Sequence, residues 1–274
     1  MNMRMQRLNS AFQKYAAIAK ISFINKLAYP IDIVVEILFL LFIFSILFFL
    51  YRATATVAPT SPIEKLSLAQ TLWIAFFANI VTGDRAKGTA RALNDDILSG
   101  QIAYQLNRPY SYIIFHFAQF VGMKLPSIIF GGSVTGLFLY SLVGLPVLSV
   151  VGCVLGAIMV CIGIVITFLI QFCIGLCAFW IGNVDPLRWI YMQLVGVVGG
   201  AAVPLAFFPE VIRKVLLLLP FSNIVYGAAR IIVGCGQSDV FFYLGLQIFW
   251  LIMMVIITRL IFRAGVKNVV ICGG

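Results

Sequence analysis

GDRAKGTARALNDDILSGQIAYQLNRP, residues 83–109, is the longest strongly polar run in a very apolar chain. Arg85, Lys87, Arg91 and Arg108 stand here with Asp84, Asp95 and Asp96. Apolar runs flank it on both sides, so it reads as a loop between membrane segments. Its basic excess assigns it to the cytoplasmic side, where Lys and Arg are retained during insertion. Ala92, Leu93, Ile97, Ile102 and Leu106 could line part of a short helix, with Gly100 interrupting the pattern. A short helix at that face suits docking against a soluble partner. A solvated loop that only satisfies topology accounts for the same charges.

The surrounding composition makes the membrane reading firm. The 274 residues are 62% hydrophobic and 10% charged, with a mean hydropathy of +1.08, whereas soluble chains are about 25% charged. The net charge of +10 then belongs to cytoplasmic loops and headgroup contacts, not to nucleic acid. Cys153, Cys161, Cys173 and Cys177 fall within one apolar run, which argues for packing and against disulfides. His116 is the single histidine, and no Cys/His ligand spacing occurs, so no metal centre is expected.

Towards the N-terminus, residues 1–29 carry Arg4, Arg7, Lys14, Lys20 and Lys26, with Leu8, Phe12, Tyr15 and Ala19 at helical spacing. This predicts a basic amphipathic helix in the cytoplasmic interface. The basic stretch is too long for a signal peptide, and no small-residue cleavage site follows. Residues 31–51 form the first span. Asp32 and Glu36 in its first turns suit a helix N-terminus, and a transport role is the alternative. Residues 52–66 make a short external loop, and residues 67–82 a second span that is short for a bilayer, so its ends should extend into flanking residues.

Beyond the polar run, Lys124 and Pro126 divide an apolar stretch into an interfacial extension, 110–123, and a third span, 125–143. His116 packs in the extension among Phe115, Phe117 and Phe120; no carboxylate lies nearby in sequence. Residues 142–149 form an external turn and 150–180 the fourth span. Trp180 and Trp189 bracket a cytoplasmic loop, 181–188, at headgroup level. The fifth span is 189–203. Arg213, Lys214 and Arg230 would be costly at mid-bilayer. The pieces 210–219 and 222–233, joined at Pro220, therefore read as an external re-entrant pair, with one kinked extra span as the alternative. Residues 240–261 form the last span, and Arg259, Arg263 and Lys267 keep the C-terminus inside. The expectation is an all-α integral membrane protein: six transmembrane helices, both termini cytoplasmic, one domain over 1–274. Gly132/Gly136, Gly152/Gly156 and Gly196/Gly200 are Gly-xxx-Gly pairs that permit close helix approach.

No GxxxxGK[ST] loop, HExxH, GxSxG or catalytic carboxylate pair appears. Mid-span ionisable groups are almost absent, which disfavours a secondary transporter. The chain therefore needs an external source of energy, delivered at its cytoplasmic face, or acts as a non-transporting scaffold that recruits a soluble protein there.

The motif ILSGQIAYQLNRP (97–109), the segment PLAFFPEVIRKVLLLLPF (204–221), the Tyr226 to Gly234 run and the N-terminal interfacial helix together resemble the ABC-2 type transporter permeases whose ATPase is separately encoded. The resemblance covers nearly the whole chain. It implies a type V exporter-like fold in a cell (inner or plasma) membrane, bacterial in source. The permease would be paired with a second copy or a paralogous permease and with two ABC ATPase subunits. ATP and magnesium would sit on the ATPase, with no cofactor in this chain. It further implies a coupling role for 83–109, centred on Asp95, Asp96, Ile97, Gly100, Gln101, Ile102 and Leu106. In that role Ile97 and Ile102 form an apolar ridge and Asp95 and Asp96 a charged rim. Residues 1–29 would brace this element. The external re-entrant hairpin, 204–234, would be a cap built on Pro204, Phe207, Phe208, Pro209, Pro220 and Phe221. The first, second and fifth spans would line the pathway. Cargo in such a family is drug, lipid, peptide or glycan; apolar and aromatic spans favour an amphipathic or lipid-like one.

Overall fold

The computed structural model describes residues 2–57, 67–83, 88–146, 150–200, 205, 208–233 and 237–272. Among the described residues every regular element is helical. In chain order these are α1 (Asn2–Leu27), α2 (Pro30–Val57), α3 (Leu68–Thr82), α4 (Thr89–Leu98), α5 (Gln101–Leu106), α6 (Tyr112–Pro126), a π-helical turn (Ser127–Gly132) and α7 (Ser133–Val143). They continue as α8 (Val150–Leu176), α9 (Ala178–Ile181), α10 (Asp185–Val197), α11 (Glu210–Leu218), α12 (Pro220–Ser222), a second π turn (Asn223–Gly227), α13 (Ala228–Val233) and α14 (Gln237–Cys272). Among the described residues four stretches are long and apolar enough to cross a bilayer: Pro30–Ala53, Tyr112–Val143, Val150–Ile181 and Val240–Lys267. A fifth is reached if the bent pair Glu210–Leu218 and Pro220–Val233 counts as one crossing.

The core is built around α3 and α8. α3 is only 15 residues long, about 22 Å at 1.5 Å per residue, yet nearly half of its residues are buried. Leu72, Ala78 and Val81 are fully buried, with α2, α7, α8 and α13 packed around it. Its N-terminus is fixed by a capping box: the Gln70 amide donates to the Ser67 hydroxyl at 3.1 Å and the Ser67 amide to Gln70 Oε1 at 2.9 Å. That cap ends the helix at Ser67, so the short second span does not extend backwards.

Two expected boundaries differ. Lys124 and Pro126 do not divide the chain; helix runs continuously from Tyr112 to Val143. The Pro126 ring conflicts with the carbonyl four residues back, and the π turn that begins at Ser127 absorbs the misfit by widening the backbone. The Lys124 ammonium is buried, donating to the Val81 and Gly83 carbonyls at 2.7 and 3.1 Å. These are the open carbonyls at the C-terminus of α3, where a cation is favoured. The expected fifth span, 189–203, is helical only to Val197, followed by a turn through Gly200 at φ 78.

α1 packs along α6 with Tyr15, Ala19, Ser22 and Lys26 inward. A Cβ on Gly122 would stand only 2.8 Å from Ser22 Cβ, so α6 presents glycine where the helices touch. Phe12, expected on the same apolar face, is 75% exposed. Glu36 serves structure: it pairs with Lys26 at 3.4 Å and accepts from the Ser127 hydroxyl at 3.1 Å, tying α1, α2 and the π turn together. The Gly-xxx-Gly pairs contribute unevenly. Gly156 meets α13 closely and Gly136 touches Phe76, while Gly132 and Gly196 face open space.

Candidate functional site: the polar segment and its anchorage

Segment 88–111 folds as two short helices at an angle. α4 closes with the Ser99 amide donating to Asp95 O at 3.0 Å and the Ser99 hydroxyl to the same carbonyl at 2.6 Å. Gly100 then takes φ 73, a left-handed turn that glycine adopts without a Cβ penalty, and α5 starts in a new direction. The inner face is apolar. Leu93 and Ile102 are buried with Tyr112, Phe168, Phe172 and Leu176, and Ile97 and Leu106 pack against that cluster. α4 lies so close on α8 that a Cβ at Gly175 would meet Leu93 Cβ at 2.7 Å.

One carboxylate organises the polar contacts. Asp96 Oδ2 accepts from the Gln105 carboxamide at 3.0 Å and the Tyr112 hydroxyl at 3.1 Å, and His116 Nε2 stands 3.5 Å away. His116 is 4% exposed and edge-on to Tyr112 and Phe172. Asp96 thus gathers α4, α5 and α6 at one point, with the Phe262 ring of α14 stacked on Tyr112. Further ties reach sideways. The Val184 amide donates to Asn94 Oδ1 at 3.2 Å, Arg91 pairs with Asp185 at 3.9 Å, and the Ser111 amide donates to the Tyr15 hydroxyl at 3.0 Å. Gly265 of α14 rests on Phe179. The polar segment, the turn before α10 and the far end of α14 therefore share one end of the molecule with the middle of α1.

The expected ridge needs correction. Ile102 is 2% exposed and Ile97 is half-buried, because the apolar stripe of this segment is covered by α6 and α8. The outward apolar groups are Leu98 and Tyr104, at 60% and 72% exposure. Asp95, Gln101 and Arg108 flank them in the open, with the Arg108 guanidinium 5.4 Å from the Tyr104 ring centre. Asp96, expected on the rim, is an internal anchor. The histidine with no nearby carboxylate in sequence has one in space; the signal was the Tyr112/His116 pair at i,i+4, which shares a helix face.

At the opposite end the Trp73 indole donates to the Gly144 carbonyl at 2.9 Å. Between the two ends, α11 and the segment from Pro220 are bent by 82°, with Phe221 beside Cys173 and Cys177 of α8. Pro220 is buried, Phe221 lies against Tyr191, and Phe208 packs on the core beside Leu205; Pro209 is exposed. Pro204 and Phe207 lie outside the described residues. Arg213 and Lys214 are on α11, with Lys214 paired to Glu210 at 2.9 Å. No group of three or more side chains suited to a metal lies among the described residues.

The sequence model of the ABC-2 family transporter proteins matches residues 67–273. The chain belongs to that family. This ABC-2 protein is a multi-pass membrane protein and the permease component of a transporter. No curated protein and no solved structure matches it. The match begins at the capped start of α3 and takes in the polar segment and both bent elements.

Proposed function

We propose that this permease is the membrane subunit of an ATP-driven exporter and that α4 and α5 are its coupling element. Six crossings follow if α3 and α10 are counted with the longer helices, and the basic residues around segment 88–111 favour a cytoplasmic position for that end. One observation carries the reading. The segment is anchored on its inner face to α6, α8 and α14, and it offers Leu98 and Tyr104 outward among polar neighbours. A docked ATPase gripping those two side chains would move three long helices at once. ATP and magnesium belong to that partner, and a second copy or a paralogue completes the pathway. The cargo class is amphipathic or lipid-like, with drugs, peptides and glycans as the wider range.

The test is co-expression and co-purification with a candidate ABC ATPase subunit from the same source. Leu98→Asp and Tyr104→Ala should each weaken association by about 2 kcal/mol, roughly thirtyfold, as buried anchors do, with the purified permease as heat-stable as wild type. Full association and full transport with both replaced would reduce the segment to a topological loop. An ATPase that binds without cargo-stimulated turnover would favour a scaffold instead.

A further inference from the structure

A pocket opens beside the outward face of α5. Gln101, Tyr104, Gln105 and Arg108 line it from α5 and the turn after it, and Tyr110 and Phe115 close it from the approach to α6 and its first turn. Its volume is about 190 Å³. A cavity of about 150 Å³ holds benzene, so this half-open space takes a single side chain and no helix.

The walls are held in place. The Tyr110 amide donates to the Arg108 carbonyl at 2.8 Å, and the Tyr110 and Phe115 rings stack with centres 4.9 Å apart. The Gln105 carboxamide donates to Asp96, and its oxygen is shut away from solvent. Gln101 and Arg108 then carry the side-chain nitrogen donors left to an occupant. The Arg108 guanidinium rests against the Tyr104 ring and forms no ion pair among the described residues. Its planar fork matches a carboxylate through two parallel hydrogen bonds. Tyr104 belongs to two surfaces at once: it walls the pocket, and it is one of the two apolar groups turned outward. A protein seated on Leu98 and Tyr104 therefore covers the mouth. Covering it strips water from Arg108, which is costly unless an anion enters with the partner.

We propose that this pocket receives one acidic side chain of the ABC ATPase, a Glu or Asp that brings its carboxylate to Arg108 between the aromatic walls. The inference rests on the coupling reading and adds the chemistry of the contact: apolar grip at Leu98 and Tyr104, charge recognition at Arg108.

The experiment uses the full permease co-expressed with a candidate ABC ATPase subunit from the same source and reconstituted in nanodiscs containing phosphatidylglycerol. Arg108→Ala should weaken association about tenfold, as loss of an enclosed arginine anchor does, and Arg108→Glu further. Arg108→Lys keeps the charge without the fork and should lose about threefold. Gln101→Trp keeps the cation and fills the pocket; it should weaken association as much as Arg108→Ala, so a folding failure of one variant leaves the other. In the Arg108→Lys complex a water-soluble carbodiimide should join the introduced amine to an ATPase carboxylate. The amide forms as the reagent takes up the elements of water and becomes a urea, and peptide mass spectrometry reads which Asp or Glu was joined. Wild-type association of both Arg108→Ala and Gln101→Trp, or an assembled Arg108→Lys complex that yields no such amide, would overturn the pocket. Full ATPase association with phosphatidylglycerol lost from Arg108→Ala would also overturn it, and would assign the cation to a lipid phosphate. Leu98→Asp separates the two readings. If it weakens association while the Arg108 and Gln101 variants do not, the pocket alone fails; if none of them does, the coupling reading fails with it.

Discussion

Segments 88–111 and 208–233 are both helical pairs bent at a break and both seat on a glycine of α8, but they differ in what is added to that contact. The first turns at Gly100 and is pinned by side-chain hydrogen bonds that converge on Asp96 and Asn94. The second turns at Leu219–Pro220 and is pinned by close packing of small residues: Ala228 and Ala229 are fully buried, and Gly156 of α8 faces Ile232 with no room for a Cβ. Its polar ties mostly serve the backbone, as where Asn223 Nδ2 donates to Tyr243 O at 3.2 Å and Trp250 Nε1 to Leu218 O at 3.0 Å. Away from water an unpaired polar group is expensive, so steric fit is the safer fastening there. Near the aqueous end, directional bonds fix an orientation that apolar contact alone would leave free to slide.

The largest effect should come from putting charge into the apolar face of the first segment. Ile102→Asp buries an unpaired carboxylate and should cost about 4 kcal/mol or more, leaving little folded permease by fluorescence-detected size exclusion. The same result with Leu98→Asp would mean that the two faces are not distinct. Next, Gly156→Leu should force α13 off α8 and cost about 3 kcal/mol through overpacking, read as a fall in thermal stability. An unchanged melting temperature would show that α13 is not held by fit.

Asp96→Ala leaves the Tyr112 hydroxyl and the Gln105 carboxamide without their acceptor. It should cost about 2 kcal/mol and expose the segment to trypsin at Arg91 and Arg108. Asp96→Asn keeps an acceptor for Tyr112 and should be milder; equal damage from both would assign the anchor to charge with His116 instead of hydrogen bonding. Smallest is Arg91→Ala. Its pair with Asp185 is half exposed on both sides, so the loss should stay within about 1 kcal/mol and vanish at high salt.

Both breaks were readable in the sequence, because Gly100 interrupts an apolar pattern and Pro220 cannot continue a helix. The long apolar runs of α2, α8 and α14 were equally plain. The direction of the apolar stripe in the polar segment was not. Periodicity pairs Leu93 with Ile97 on one face of α4 and Ile102 with Leu106 on one face of α5, and nothing local says whether those faces meet a partner or the chain's own helices. Asp96 and His116 lie far apart in sequence, and they meet only because the turn at 107–111 folds α5 back towards α6. The close-approach glycines Gly122, Gly175 and Gly265 belong to no Gly-xxx-Gly pair. What singles them out is the side chain that crosses each from another helix: Ser22, Leu93 and Phe179.

α8 links the two bent segments directly. Gly175 receives α4 and Gly156 receives α13, about 28 Å apart along the axis at 1.5 Å per residue. No proline lies between Val150 and Leu176, so this helix has no joint at which to dissipate a thrust. It behaves as a strut. A tilt imposed where α4 seats would be delivered as an opposite swing where α13 seats, about whatever pivot α3 provides between them. On the proposed coupling role, α13 would then be worked from the α4 end by a single stiff member, without any signal having to pass side chain by side chain through the core.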